Sequence, residues 1–222
     1  MKTIVSFVLS VFAVSLVTAI PFESNMNMRM RLQGVRRMVE RNGCNLNVCF
    51  ALDGSASVTP LDYEMQKDFV QLMSAVLDFE VENSSFSAVQ YGDQVSPISP
   101  LTQSIDDFNL KVHASNISAF QGSSIGKGIT YCSNQLLELA DNPVKIIVFG
   151  DGRETSKTDA VSIAASFKDF HPNGRLSTVG VGFPNTVLLK TIAEAGGGRL
   201  FEIDEYIDAL DLVVDLFLEV CG

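Results

Sequence analysis

The chain has no tryptophan, two histidines and four cysteines among 222 residues. Each shortage narrows the chemistry. His113 and His171 are the available imidazoles, and both fall near the ends of helical patterns, where capping or surface positions suit them. Neither HExxH nor GxxxxGK[ST] occurs, and no cysteine pair has CxxC spacing, so zinc protease, P-loop and zinc-finger chemistry lack their signatures. Positive charge is also scarce: 16 Lys and Arg face 26 Asp and Glu, giving a net charge of -10. Six of those basic residues and only two acids (Glu23, Glu40) precede Cys44, which leaves -14 on the remainder. So acidic a body excludes nucleic acid, whose phosphates demand a basic surface. Long hydrophobic runs are absent after the first residues, so the mature chain is expected to have no membrane span.

The one such run, Ile4 to Val17, follows Lys2 and ends in the small residues Val17-Thr18-Ala19 before Pro21. It is shorter than the ~20 apolar residues a span needs, so residues 1–19 are read as a secretory signal rather than an anchor. The product is expected to be secreted and extracellular. Residues 20–43 then form a basic N-terminal leader, either solvated, removed as a propeptide after Arg36-Arg37, or an arm for an acidic partner. Residues 44–222 form one domain. Secretion makes the cysteines disulfide candidates. Cys44 and Cys221 lie at the two ends of that domain and are expected to pair; Cys49 and Cys132 fall in buried elements, as a second bond or as two core thiols.

From Cys44 onward, short β-rich runs alternate with helical patterns, which predicts an α/β fold: a doubly wound, mostly parallel six-stranded sheet flanked by helices. The candidate strands are Asn47 to Leu52, Ser85 to Tyr91, Gln94 to Ile98, Val144 to Phe149, Leu176 to Val181 and Arg199 to Ile203. Helical stretches run near Leu61 to Phe79, Ile105 to His113, Ile125 to Ala140, Ala160 to Phe170, Val187 to Ala195 and Ile207 to Val220. Val144 to Phe149 is apolar almost throughout, as expected of a central strand covered on both faces.

Ligands of such sheets collect beyond the carboxyl ends of the strands, where strand order reverses. Asp53, Ser55 and Ser57 follow the first strand at alternate positions, so they share a face of an extended chain. Asp151 follows the fourth strand between Gly150 and Gly152, and Ser123 precedes a helix in Gln121 to Gly126. Oxygen donors from three loops suit a hard divalent cation, which Mg²⁺ exemplifies with ligands at about 2.0–2.1 Å.

These segments resemble the von Willebrand factor type A family over about Asn47 to Val220. The likeness rests on Phe50 to Ser57 as an Asp-x-Ser-x-Ser motif after a hydrophobic strand, on Gly122-Ser123 with Gly126, on Val148 to Gly152, and on Val179 to Gly182. The resemblance implies a Rossmann-like fold and a metal-ion-dependent adhesion site. Its ligands for Mg²⁺ or Mn²⁺ would be Asp53, Ser55, Ser57, Ser123 and Asp151. Ser123 stands where the family usually has Thr, and Gly150 where Thr is common. Thr59, Gln94, Ser124, Arg153 and Glu154 are candidate rim residues.

The implied function is adhesion: metal-bridged capture of an Asp or Glu on an extracellular protein partner, with no catalytic residues. Two alternatives use the same site, a self-associating matrix component and a metal-dependent hydrolase. Asn83 and Asn116 begin N-x-S sequons and are candidate glycosylation sites.

Overall fold

Residues 47–78, 84–118, 120–139, 143–156, 159–181 and 184–203 are described by the computed structural model of the chain. The expected signal, leader, Cys44–Cys221 pair, Asn83 and the helix from Ile207 to Val220 lie outside them. The first strand, β1 (Asn47–Asp53), is buried along its whole length. Its even-numbered side chains Val48, Phe50 and Leu52 join one apolar cluster and its odd-numbered Cys49 and Ala51 another. The period-2 alternation of a strand therefore feeds two cores at once.

The other strands are β2 (Ser85–Tyr91), β3 (Val95–Thr102), β4 (Val144–Gly150), β5 (Arg175–Val181) and β6 (Gly197–Ile203). They form one sheet in the order β3-β2-β1-β4-β5-β6. All neighbours run parallel except β2 and β3, which pair antiparallel across the short turn at residues 92–94. β4 lies inside the sheet between β1 and β5, where its apolar run placed it. β3 extends four residues past the expected Ile98 despite Pro100, because it is an edge strand and can spare the missing N–H group.

The helices are α1 (Pro60–Asp78), α2 (Ile105–Ala114), α3 (Ile125–Leu136), α4 (Ala160–Phe170) and α5 (Thr186–Ala195). α1 and α2 pack Phe69, Val70, Met73, Phe108 and Val112 on one face. α3, α4 and α5 pack Ile129, Leu136, Ala164, Phe167 and Ile192 on the other. Three of the helix starts follow capping chemistry. Thr59 and Asp62 form a reciprocal capping pair ahead of α1, with Pro60 in its first turn. Ser104 caps α2 and Asp159 caps α4. α3 is shorter than expected and tightens into a 3₁₀ turn at Leu137–Leu139. No helix among the described residues is long and apolar enough to cross a membrane.

A disulfide joins Cys49 on β1 to Cys132 on α3, across 83 residues of sequence. Both residues are fully buried, so it staples the helix that follows one loop to the strand that precedes another. In the chain-entropy model a loop of this size is worth about 4 to 5 kcal/mol. Replacing both cysteines by alanine is expected to lower stability by about 4 kcal/mol, read as a fall in the urea midpoint with a steeper slope, since the uncrosslinked unfolded chain exposes more surface.

Candidate metal centre at the carboxyl edge of the sheet

Strand order reverses between β1 and β4, and the loops leaving these two strands open onto the same edge. Asp53, the last residue of β1, is 1% exposed. Its N–H donates to Gln66 Oε1 at 2.8 Å and its C=O accepts from Gln66 Nε2 at 3.2 Å. Carboxylate oxygen Oδ1 accepts from the Ser55 N–H at 2.8 Å, while Oδ2 has no hydrogen-bond partner. The Ser55 and Ser57 hydroxyls lie 3.1 Å apart, Ser55 buried and Ser57 exposed.

The segment before α3 is tied directly to this first loop. Phe120 donates its N–H to the Gly54 carbonyl at 2.9 Å and forms an isolated parallel bridge with Ser55. Ser123, three residues on, is 3% exposed and its Oγ has no partner. Its backbone is held by the third loop: N–H to Thr155 Oγ1 at 2.8 Å, and C=O from the N–H groups of Thr155 and Ser156 at 3.0 and 3.2 Å.

In the third loop Asp151 is 8% exposed, accepts the Arg153 N–H on Oδ1 at 2.9 Å and lies 3.6 Å from the Arg153 guanidinium through Oδ2. Gly150 packs against Asp53: a Cβ there would stand 2.9 Å from Asp53 Oδ2 and 2.5 Å from the Tyr91 hydroxyl. The absent side chain leaves room for Tyr91, fully buried, to donate its one proton to the Phe149 carbonyl at 2.5 Å. The five residues expected as ligands thus sit on three adjoining loops bonded to one another. Among the described residues no three His, Cys, Asp or Glu side chains cluster; the candidate donors are two carboxylates and three hydroxyls. That set could hold a hard cation. Two of its oxygens are buried and unsatisfied, which ordinarily costs about 1–3 kcal/mol each.

The candidate rim residues separate. Gln94 and Arg153 are exposed. Thr59 spends its hydroxyl on the α1 cap. Ser124 is fully buried, so it lines no outer rim. Glu154 turns inward and accepts the Ile125 N–H on Oε2 at 3.0 Å, capping a helix whose own N-cap residue makes no side-chain capping bond. Gly122 to Gly126 also spells G-x-S-x-G, but an elbow presents its central hydroxyl to substrate, whereas Ser124 is inaccessible. His171 closes α4 at the opposite edge of the sheet, just before β5 begins.

Sequence reasoning missed Gln66, Thr155 and Tyr91. Gln66 carried a signal, a polar residue on the apolar face of α1 between Tyr63 and Val70. Thr155 carried none, since its partner lies 32 residues away.

The family model for the von Willebrand factor type A domain matches residues 47–215. The collagen alpha-4(VI) chain of Mus musculus is 26% identical over 198 residues, covering 84% of this chain and 8% of that one. Matrilin-1 of Gallus gallus is 29% identical over 148 residues, covering 64% of this chain and 29% of its own length. The chain thus spans under a third of either curated relative. Among solved structures, the hypothetical protein BatB from Bacteroides thetaiotaomicron superposes with a TM-score of 0.69 at 18% identity, over 79% of this chain and 98% of that one. Proximal thread matrix protein 1 from the mussel byssus, solved with a zinc-occupied MIDAS motif, gives 0.65 at 19% identity, over 78% and 48%. At these identities the two structures establish the fold.

Burial strips water from the Asp53 carboxylate and, with the Asp151 charge adding, pushes its pKa from 3.8 to about 6. The folded state then binds this proton more tightly than the unfolded chain. Its contribution to stability is full below pH 4 and is lost as pH rises through 6, roughly 3 kcal/mol in all. Urea unfolding in chelator at pH 4 and pH 7 is expected to show that loss in the wild type, and Asp53→Asn to abolish it.

Proposed function

The chain belongs to the von Willebrand factor type A domain family, and on that footing we propose that it is an extracellular adhesion module. It captures an Asp or Glu side chain of a protein partner through a divalent cation, Mg²⁺ or Mn²⁺, held by Asp53, Ser55, Ser57, Ser123 and Asp151. The observation that carries this reading is the pair of buried, unpartnered oxygens, Asp53 Oδ2 and Ser123 Oγ, on loops bonded together at one edge. When bound, the cation offers a coordination position that a carboxylate from outside can fill.

The chain's own residues do the rest. Asp53 and Asp151 supply two negative charges, enough to hold a divalent ion without making its surroundings strongly negative. Ser55, Ser57 and Ser123 add neutral oxygens, which leave the ion electron-poor. Arg153, beside Asp151 and exposed, stands where an approaching acid would meet a positive charge. Exposed Asn116 precedes the second loop, and its side chain is a proposed glycan site. Similarity to a collagen VI chain and to a matrilin supports a matrix setting and secretion. An oxygen-only donor set supports binding over hydrolysis.

Titration calorimetry with Mn²⁺ is expected to show metal-dependent heat for the wild type and none for Asp53→Ala. No heat for the wild type would remove the bridging mechanism. A pull-down from matrix extract eluted with chelator then identifies the partner, and sedimentation in Mg²⁺ against EDTA reveals whether that partner is a second copy.

A further inference from the structure

Asp53 and Ser123 share an arrangement that neither loop's local sequence explains. Each presents a buried side-chain oxygen without a partner. Each also has both its backbone groups held by a single side chain from elsewhere in the chain. Gln66 on α1 takes the Asp53 N–H on Oε1 at 2.8 Å and gives a proton to the Asp53 C=O from Nε2 at 3.2 Å. Thr155 takes the Ser123 N–H on Oγ1 at 2.8 Å and donates the same hydroxyl to the Ser123 C=O at 3.2 Å.

Geometry gives this double contact a consequence. A residue's N–H belongs to the peptide plane before it and its C=O to the plane after it. Fixing both planes against one rigid group fixes φ and ψ, and with them the direction of the Cα–Cβ bond. Gln66 suits the task because its amide carries an acceptor and a donor side by side, and at 1% exposure water offers it no alternative. Thr155 suits it because a hydroxyl accepts and donates at once. Thr155 sits close enough that a Cβ on Gly122 would approach its Oγ1 to 2.8 Å.

We propose that Gln66 and Thr155 are positioning residues of the metal centre, setting the directions of Asp53 Oδ2 and Ser123 Oγ before a cation arrives. The inference rests on the metal-binding reading above. It adds that the site is organised by two residues that cannot themselves reach the ion's first ligands except through backbone. Partners of this outer kind typically change metal affinity about 10- to 100-fold when lost.

The test uses the full chain, with Mn²⁺ as probe, in wild type, Gln66→Met, Thr155→Val and Thr155→Ser. Mn²⁺ affinity is measured by calorimetry, and amide hydrogen exchange at Asp53 and Ser123 is followed in chelator. Gln66→Met and Thr155→Val are each expected to weaken Mn²⁺ about 10- to 100-fold in a protein whose circular dichroism is unchanged. Exchange should accelerate at Asp53 in the first and at Ser123 in the second, and Thr155→Ser should restore both readouts. Variants that bind Mn²⁺ as the wild type does would overturn the inference and leave the metal site standing. A wild type that takes up no Mn²⁺ would overturn both, the metal reading first. Should Gln66→Met fail to fold, exposed Thr155 decides the question through Val against Ser.

Discussion

Two carboxylates, Asp53 and Asp151, are held near each other at the sheet edge with little water around either. Burial alone makes a charged Asp53 unfavourable, and its neighbour's charge makes it worse. A fold meets such a demand by spending hydrogen bonds or by neutralising the group. Here one oxygen of each carboxylate accepts a local N–H two residues on, Ser55 for Asp53 and Arg153 for Asp151. That leaves the second oxygen of Asp53 aimed at nothing. Everything else at this edge reads as the structure needed to keep that oxygen where it is.

The support is layered. β1 and β4 are adjacent and parallel, so their last residues arrive side by side. The Cys49–Cys132 bond fixes α3 against β1, and α3 begins one residue after Ser124, which anchors the second loop to the first strand. Glu154 supplies the cap that α3 lacks from its own sequence, which draws the third loop onto the second. Gly150 then permits Tyr91 to pass under Asp53 and bond the Phe149 carbonyl. A threonine at 150 would compete with that hydroxyl for the same space. The departure from the family's usual residue and the buried tyrosine are therefore two sides of one packing solution.

Much of this was legible in the sequence, for identifiable reasons. The inner strands β1 and β4 were found because both their faces are buried, and continuous burial leaves near-continuous apolar runs. The ligand candidates were found because a motif at a strand end needs only local spacing. What escaped was what depends on distant partners. Nothing near Glu154 says that it will cap a helix starting 29 residues earlier. Nothing near Thr155 points to Ser123. Ser124 looked like a rim hydroxyl because sequence neighbours of a candidate ligand share its loop, yet the chain turns it inward as the helix begins. The edge strand ran on past Pro100 because pairing on one side only relaxes the rule that excludes proline.

The proposed capture of acidic partners by an acidic module faces an electrostatic objection, and distance resolves it. The chain from Cys44 onward carries -14, but charges more than about 8–10 Å from the contact are largely screened at physiological salt. What an approaching carboxylate feels is the local sum. On the proposed reading, a divalent ion cancels Asp53 and Asp151, and the neighbouring Arg153 and Glu154 offset each other, so an approaching acid meets no net negative charge at that point. The hydroxyl donors matter for the same reason, since a third carboxylate in place of Ser123 would turn the sum against the partner. The site's scarcity of charge, set in so acidic a protein, is then the property that makes capture of an acid possible.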